Sequence, residues 1–422
     1  MGSFLIEGGK RLYGSVKVSG SKNAALPVLC AALLVKGTCV IENCPQITDV
    51  FDTCRMLEQF GCRLKWEGHT LYVNAKSVHS AALNNTNAGK IRSSVLFMGA
   101  ELGRFHNAKI NKPGGCLIGE RPIDMHIEGL ESLGAEIRED EGLYICRCEN
   151  PRGAHIRLKM PSVGATENII ILSVKADGET IIDNAAKEPE VCALCDFLNL
   201  CGAEISGTGT EKLIINGVKK LHGCRFRVID DRIEAGTFLC AVAGCGGDVF
   251  VNGNIAPMLT ALIKKLDECG CCVSGCSCGV RLISRGIIMP VDVETTVYPG
   301  FPTDLQPQIM SVLTKGSGLS TITENVFEKR LGHTKELIKL GAKIEVKRNT
   351  AFVEGVKSLK GASLTACDLR AGAGLITGAL MSEGNSEVFG SQFIKRGYED
   401  IDRKLRSIGA SIVYKDTGDT NG

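Results

Sequence analysis

The sequence has no excess of either charge. Its 49 Lys and Arg stand against 47 Asp and Glu, a net of +2. That excludes a strong electrostatic pull toward nucleic acid or an acidic membrane. No apolar run reaches the roughly 18 residues that a membrane helix needs. The N-terminal stretch MGSFLIEGGKRLYG lacks the long apolar core of a secretory signal, so a cytoplasmic protein is expected. No Gly/Ser/Pro-rich linker divides the chain, so a domain boundary must fall between similar segments. A length of 422 residues predicts two or three domains, and 44% hydrophobic with 23% charged content reads as a soluble globular chain.

Cysteine is what the chain has in quantity: 20 residues. Without a secretory signal these are expected as reduced thiols. The densest cluster, ECGCCVSGCSCG, runs from Cys269 to Cys278. Its spacings match no standard zinc signature, and no histidine is near. It reads as small, buryable residues in a helix-to-strand connection rather than as a metal site. No metal is expected there.

One pattern recurs six times: LEQFGCRL, LESLGAEI, LNLCGAEI, LDECGCCV, LIKLGAKI and LRSIGASI. The glycines, Gly61, Gly134, Gly202, Gly270, Gly341 and Gly409, lie 73, 68, 68, 71 and 68 residues apart. Before the glycine, apolar residues such as Leu259, Leu262, Ile263 and Leu266 follow helical spacing. Gly suits the position just past a helix end, and the alternating residues after it predict a half-buried strand. Each repeat also carries a second helix that is apolar on nearly all sides, such as EAGTFLCAVAG, so it should be buried. These second helices open near Lys22-Asn23, Arg92, Gly164-Ala165-Thr166, Asp231-Arg232, Thr303-Asp304 and Asp368-Arg370. Free N–H groups at helix starts favour anions, and four of the six starts carry Lys or Arg, which suits a phosphate-rich ligand. Ordinary capping by Asp, Thr and Asn is the plainer reading of any single start. Six such units, three to a domain, predict an α/β protein with its binding site in the cleft between two domains.

SGSKNAALP, PGGCLIGERPIDMH, SVGAT, NAAKEPE, DRIEAGTF, FPTDLQPQ, ENVFEKR, DLRAGAGL and KRGYEDI are spread from residue 19 to residue 401. With these stretches the chain resembles the UDP-N-acetylglucosamine 1-carboxyvinyltransferase (enolpyruvyl transferase) family, a branch of the EPSP synthase-like superfamily. The resemblance implies a two-domain inside-out α/β barrel with threefold pseudo-symmetry in each domain. One domain would be residues 22–228, carrying the Cys116 loop, and the other residues 1–21 with 229–422. It also implies transfer of the enolpyruvyl group of phosphoenolpyruvate to the 3′-hydroxyl of UDP-N-acetylglucosamine, with release of phosphate. That is the first committed step of peptidoglycan synthesis, and so serves cell wall, shape and division. The expected partners are these two small molecules only, with no metal and no organic cofactor, on a monomer or a weak homo-oligomer.

The resemblance also assigns residues. Lys22, Asn23, Arg121 and Arg396 would hold phosphoenolpyruvate, Arg as a planar bidentate donor and Lys as a compact charge. Asp304 would take the sugar hydroxyl proton, although its place also suits an N-cap. Asp368, Arg370 and Arg330 would line the reacting centre. Arg92, Arg121, Pro122, Ile123, Asp124, Met125, Ser162, Val163, Gly164, Asp304 and Val326 would contact the nucleotide sugar, with Phe327 a lesser candidate against uracil. Cys116 would be the acid for the donor carbon and the site of a phosphoenolpyruvate adduct and of fosfomycin alkylation. Nearby cations, Lys112 and Arg121, favour its thiolate, and Gly114 and Gly115 permit a loop that opens and closes. The chain departs from some members at Leu96, where they have Trp, and at Met160, where they have Lys. Two other readings stay open: an EPSP synthase-type enzyme acting on shikimate 3-phosphate, and a silent paralogue or cysteine-rich redox or metal protein on the same scaffold. The PGGC loop argues against the first. The presence of Lys22, Cys116, Arg121, Asp304, Asp368 and Arg396 argues against silence.

Overall fold

In a computed structural model of the chain, residues 2–81, 92–112, 118–119 and 122–416 are described. The chain divides into two compact units. An inserted unit runs from Gly20 to Ile229. A discontinuous unit takes the N-terminal residues to Ser19 and everything from Asp230 onward, and Ile118 and Gly119 group with it. Each unit has its own core: one is built from Ala24 to Val228, the other from Phe4 to Val18 and Ile233 to Ile412.

The six-fold pattern is a helix cap. In every copy the glycine sits at positive φ, from 87° at Gly61 to 97° at Gly409, a region where only glycine avoids a Cβ penalty. In every copy its N–H bonds the carbonyl three residues back, as Gly341 to Ile338 at 2.9 Å. The next residue's N–H reaches five back, as Ala342 to Leu337 at 3.3 Å. This double bond is the Schellman arrangement, which satisfies the last helical carbonyls. It explains the flanking residues too. The recurring leucines Leu57, Leu130, Leu198, Leu266, Leu337 and Leu405 are the carbonyl partners, each at most 1% exposed. The small residue after the glycine is buried over them. Burying each leucine contributes roughly 1.5–3 kcal/mol.

The strand that follows enters a sheet. Among the described residues there are six sheets, three in each unit. Five are four-stranded with one topology. Val293–Glu294, for example, runs parallel to Leu319–Thr323, which pairs antiparallel with Thr350–Glu354, which pairs antiparallel with Lys343–Lys347. The sixth has three described strands, Asn107–Asn111, Leu143–Arg147 and Glu136–Asp140. In the discontinuous unit Ser3–Glu7 fills the third position of the last sheet, between Asn385–Phe389 and Ser411–Lys415.

The apolar helices are interior, as their composition requires. Arg232–Cys245, Gln306–Leu313 and Leu369–Met381 pack on one another in the discontinuous unit. Their backbones come close at Gly374, where a Cβ would lie 2.8 Å from the Pro307 carbonyl oxygen. In the inserted unit Phe97–Phe105 packs on Val163–Ser173, and Asn168 ties the contact together. Its amide accepts from Gly99 N–H at 2.9 Å and donates to the Val95 carbonyl at 3.0 Å. By contrast, Thr260–Glu268 buries only Leu262 and Leu266. Among the described residues no helix is long and apolar enough to cross a membrane.

Candidate functional site

In the discontinuous unit the expected residues converge on Asp304. It lies in the short 3₁₀ turn Thr303–Leu305 that opens the buried helix Gln306–Leu313. Its Oδ1 accepts from Arg330 Nη2 at 3.0 Å. Its Oδ2 accepts from Arg370 Nε at 3.1 Å and lies 3.0 Å from Arg370 Nη2. Both arginine side chains are 3% exposed and the carboxylate 26%. The two cations therefore hold Asp304 from the buried side, and the carboxylate is the more exposed partner. Burial opposes the charge on Arg370, but Asp304, Tyr398 and Asp231 outweigh it and hold the guanidinium protonated.

Packing fixes both arginines. Arg370 lies over the Tyr398 ring, 5.5 Å from its centroid, and Arg330 lies 5.8 Å from that of Phe327. Phe327, expected near a base, thus also backs Arg330. The Tyr398 hydroxyl is 2.8 Å from Thr237 Oγ1, and Gln308 Nε2 donates to both. His333, beside Arg330, is buried, and burial pulls its imidazole down to about 4, against the opposing charge of Asp368.

Asp368 caps the helix Leu369–Met381: its Oδ1 accepts from the Arg370 and Ala371 N–H groups at 2.9 and 3.0 Å. It thereby sets the angle at which Arg370 leaves the helix. Arg396, half-buried, follows the short helix Ser391–Ile394. Glu324 was not singled out from the sequence, yet it organises this region. Its Oε1 accepts from Thr295 Oγ1, Val326 N–H and Phe327 N–H at 2.9, 2.9 and 3.1 Å, and its Oε2 from Thr303 Oγ1 at 2.9 Å. One buried carboxylate thus ties the Val326–Phe327 turn to the residue before Asp304. ENVFEKR contained it, but a carboxylate that bonds backbone leaves no charge pattern to read. Ile118 joins the same unit through its carbonyl, which accepts from Lys329 N–H at 3.1 Å.

The inserted unit carries the other set. Lys22 is the first residue of the helix Lys22–Ala32, and its Nζ lies 3.0 Å from Asp49 Oδ2. Asp49 is 2% exposed and Lys22 13%, so a buried anion anchors the ammonium. Asn23 beside it is half-buried. Arg92 starts the turn Arg92–Leu96 and donates from Nη2 to the Pro122 carbonyl at 3.2 Å, which brings two expected nucleotide-sugar residues together. Ile123, Asp124 and Met125 form the entry to the helix Asp124–Ser132. Ser162, Val163 and Gly164 start Val163–Ser173 and are half-buried. His126 links the two helix starts: a Cβ on Gly164 would lie 3.0 Å from its ring, and its Nδ1 is 3.2 Å from Asn168 Nδ2. Leu96 is buried at 4% and Met160 is 50% exposed.

Four of the six helix starts are capped by the chain itself. Ser21, Ser162, Asp231 and Asp368 accept from the first free N–H groups. At these starts a side-chain oxygen accepts from one or two of the first-turn N–H groups, as ordinary capping does. Cys116, Arg121, Gly114 and Gly115 lie outside the described residues. Lys112, expected to favour the Cys116 thiolate, pairs with Glu139 at 2.8 Å.

Comparison with known proteins agrees in kind. The family model for EPSP synthase (3-phosphoshikimate 1-carboxyvinyltransferase) matches residues 6–405. A protein of Caldanaerobacter subterraneus subsp. tengcongensis named UDP-N-acetylglucosamine 1-carboxyvinyltransferase 2 is 45% identical, covering 98% of this chain and 99% of that one. A Clostridium botulinum protein named UDP-N-acetylglucosamine 1-carboxyvinyltransferase is 42% identical, covering 98% and 100%. Among solved structures, the enolpyruvyl transferase NikO from Streptomyces tendae superposes with a TM-score of 0.88 at 24% identity, covering 98% of this chain and 99% of that one. An EPSP synthase from Acinetobacter baumannii gives 0.76 at 18%, covering 99% and 100%. At those identities the two structures show the fold alone, a mixed α/β enolpyruvyl-transferase fold. Full-length likeness at 42–45% identity decides the rest: the chain is a transferase that belongs to the UDP-N-acetylglucosamine 1-carboxyvinyltransferase family, within the EPSP synthase superfamily.

Proposed function

We propose that this chain transfers the enolpyruvyl group of phosphoenolpyruvate to the 3′-hydroxyl of UDP-N-acetylglucosamine and releases phosphate. The observation that carries the reading is the full-length likeness to relatives of that name. The arrangement around Asp304 supports it. In the reaction the sugar hydroxyl oxygen bonds to C2 of phosphoenolpyruvate while C3 gains a proton. Loss of a C3 proton and of phosphate then restores the double bond. Asp304, partly exposed, takes the proton of a sugar hydroxyl seated within hydrogen-bond reach. Arg330 and Arg370 hold the carboxylate still, and Asp368 aims Arg370. Cys116 delivers the C3 proton and forms the phosphoenolpyruvate adduct. Lys22, Asn23, Arg121 and Arg396 balance the donor's phosphate and carboxylate. Arg92, Arg121, Pro122, Ile123, Asp124, Met125, Ser162, Val163, Gly164 and Val326 bind the nucleotide sugar.

In this reading the two units are the two domains of an inside-out barrel, each with threefold pseudo-symmetry. The product feeds peptidoglycan synthesis in the cytoplasm. The test is phosphate release from phosphoenolpyruvate with each acceptor. Turnover is expected with UDP-N-acetylglucosamine, and turnover with shikimate 3-phosphate alone would sink the reading. Cys116→Ser is expected to lose most transfer and all fosfomycin labelling, while Cys276→Ser changes neither. Equal labelling of several other thiols would remove Cys116 from its role.

A further inference from the structure

Three cysteines far apart in sequence meet in the inserted unit. Cys39 lies on the strand Thr38–Glu42, Cys201 ends the helix Pro189–Leu200, and Cys224 precedes the strand Arg225–Arg227. Those two strands pair in parallel, and Val40 N–H bonds the Cys224 carbonyl at 2.8 Å, which sets Cys39 beside Cys224. The three sulfur atoms all lie within 4.8 Å of one another, with Cys201 and Cys224 at 3.2 Å. Cys39 and Cys201 are fully buried and Cys224 half-buried. His222, exposed, stands at the same corner: its N–H bonds the Cys201 carbonyl at 2.9 Å, and its Nε2 would lie 3.0 Å from a Cβ on Gly202.

We propose that Cys39, Cys201 and Cys224 form a binding site for a thiophilic divalent metal ion of the zinc class, held as a structural staple. A tetrahedral ion with metal–sulfur bonds of about 2.3 Å needs its sulfurs about 3.8 Å apart. Cys201 and Cys224, at 3.2 Å, lie about 0.6 Å inside that edge and no pair lies beyond 4.8 Å, so small side-chain rotations suffice. Three thiolates come from the chain, and the fourth position falls to His222 or to a water. On binding, the thiol protons leave to solvent and the ion takes their place, so no oxidant is needed. A disulfide is the weaker account of the same geometry, because it uses two sulfurs and leaves the third buried against it. The staple would join two neighbouring strands to the end of a helix, all within one unit.

The test uses the full chain, purified under reducing conditions and stripped of metal by a chelator. Titration with cobalt(II) is expected to give thiolate-to-metal charge-transfer bands that saturate near one equivalent per chain, and zinc(II) should displace them. Zinc should also raise the unfolding temperature, and chelator should reverse the rise. Cys224→Ser is expected to abolish the bands. Cys276→Ser, which breaks the other close sulfur pair at 3.1 Å to Cys278, should leave them intact. Absence of stoichiometric binding by the unaltered protein would overturn the proposal whether or not Cys224→Ser folds. So would a Cys201–Cys224 disulfide in the reduced preparation, or bands that survive Cys224→Ser and vanish in Cys276→Ser.

Discussion

At the scale of single residues, Asp304 carries the most exposed consequence. Its two arginines are buried, so removing the negative charge takes away the carboxylate that both of them bond. Breaking a buried pair by removing one partner costs about 3–5 kcal/mol, and the partial exposure of Asp304 places this case below that range. Asp304→Asn keeps an acceptor but loses the proton acceptor's charge. Its turnover is expected to fall about 10²–10⁴-fold, the usual worth of a positioned base, with KM for both substrates little changed. Steady-state kinetics on material shown to be folded by its thermal transition checks this. Unchanged kcat would remove Asp304 as the base.

A second residue speaks through pH. Burial raises the Glu101 carboxyl from the ordinary range to about 9. The folded state therefore keeps a proton that the unfolded chain releases above about pH 4.3. The stability this contributes is complete below that value and is lost as pH rises through about 9. Glu101→Gln keeps the shape and removes the titration. The difference in unfolding temperature between variant and parent should move in the variant's favour from about pH 5 to about pH 9. A pH-independent difference would show that Glu101 is ionised in the fold.

At the scale of elements, the six capped helix ends offer a clean measurement at Gly341. Its φ is 94°, and a Cβ there would meet nothing within 4 Å. Gly341→Ala therefore tests backbone conformation alone, without the clash that Gly61 would add against His79. The left-handed conformation costs an L-residue roughly 1–2 kcal/mol, so the variant should lose about that much by denaturant unfolding. Gly341→Asn should lose less, since Asn tolerates the region. A neutral Gly341→Ala would mean that the cap is not held in the positive-φ form.

This element was legible in the sequence because its cause is local. Leucine, glycine and a small residue at fixed offsets are the cap, and periodicity reads the helix before it. The buried second helices were legible for the same reason. What sequence spacing missed depends on topology. The cysteine run from Cys269 to Cys278 drew the eye as a cluster, yet Cys272, Cys276 and Cys278 are exposed along one hairpin. The compact thiol group is Cys39, Cys201 and Cys224, which only the parallel pairing of two distant strands brings together. Asp49 behind Lys22, and Glu324 behind Asp304, were missed likewise: each is a positioning carboxylate that acts through a partner remote in sequence. Asp304, Arg330 and Arg370 could be named from motifs, but not that each arginine takes one oxygen of the carboxylate.

At the scale of the whole molecule, chain connectivity makes a prediction about each unit alone. The inserted unit begins and ends at one place: Ser21 N–H bonds the Ile229 carbonyl at 2.7 Å. The discontinuous unit closes the same way, with Asp231 N–H on the Ser19 carbonyl at 2.9 Å. Each has a separate core and three sheets of its own. A unit with its own core and adjacent termini meets the requirements for independent folding. Residues 20–229 expressed alone are therefore expected to fold cooperatively, with dispersed amide resonances and a sharp thermal transition. The complementary chain, with Ser19 joined directly to Asp230, needs no linker, because the Ser19 carbonyl already bonds the N–H of Asp231, the next residue along. Two folded pieces would place stability within the units. A disordered 20–229 fragment would instead mean that its core depends on the rest of the chain, and its circular dichroism spectrum alone would decide it.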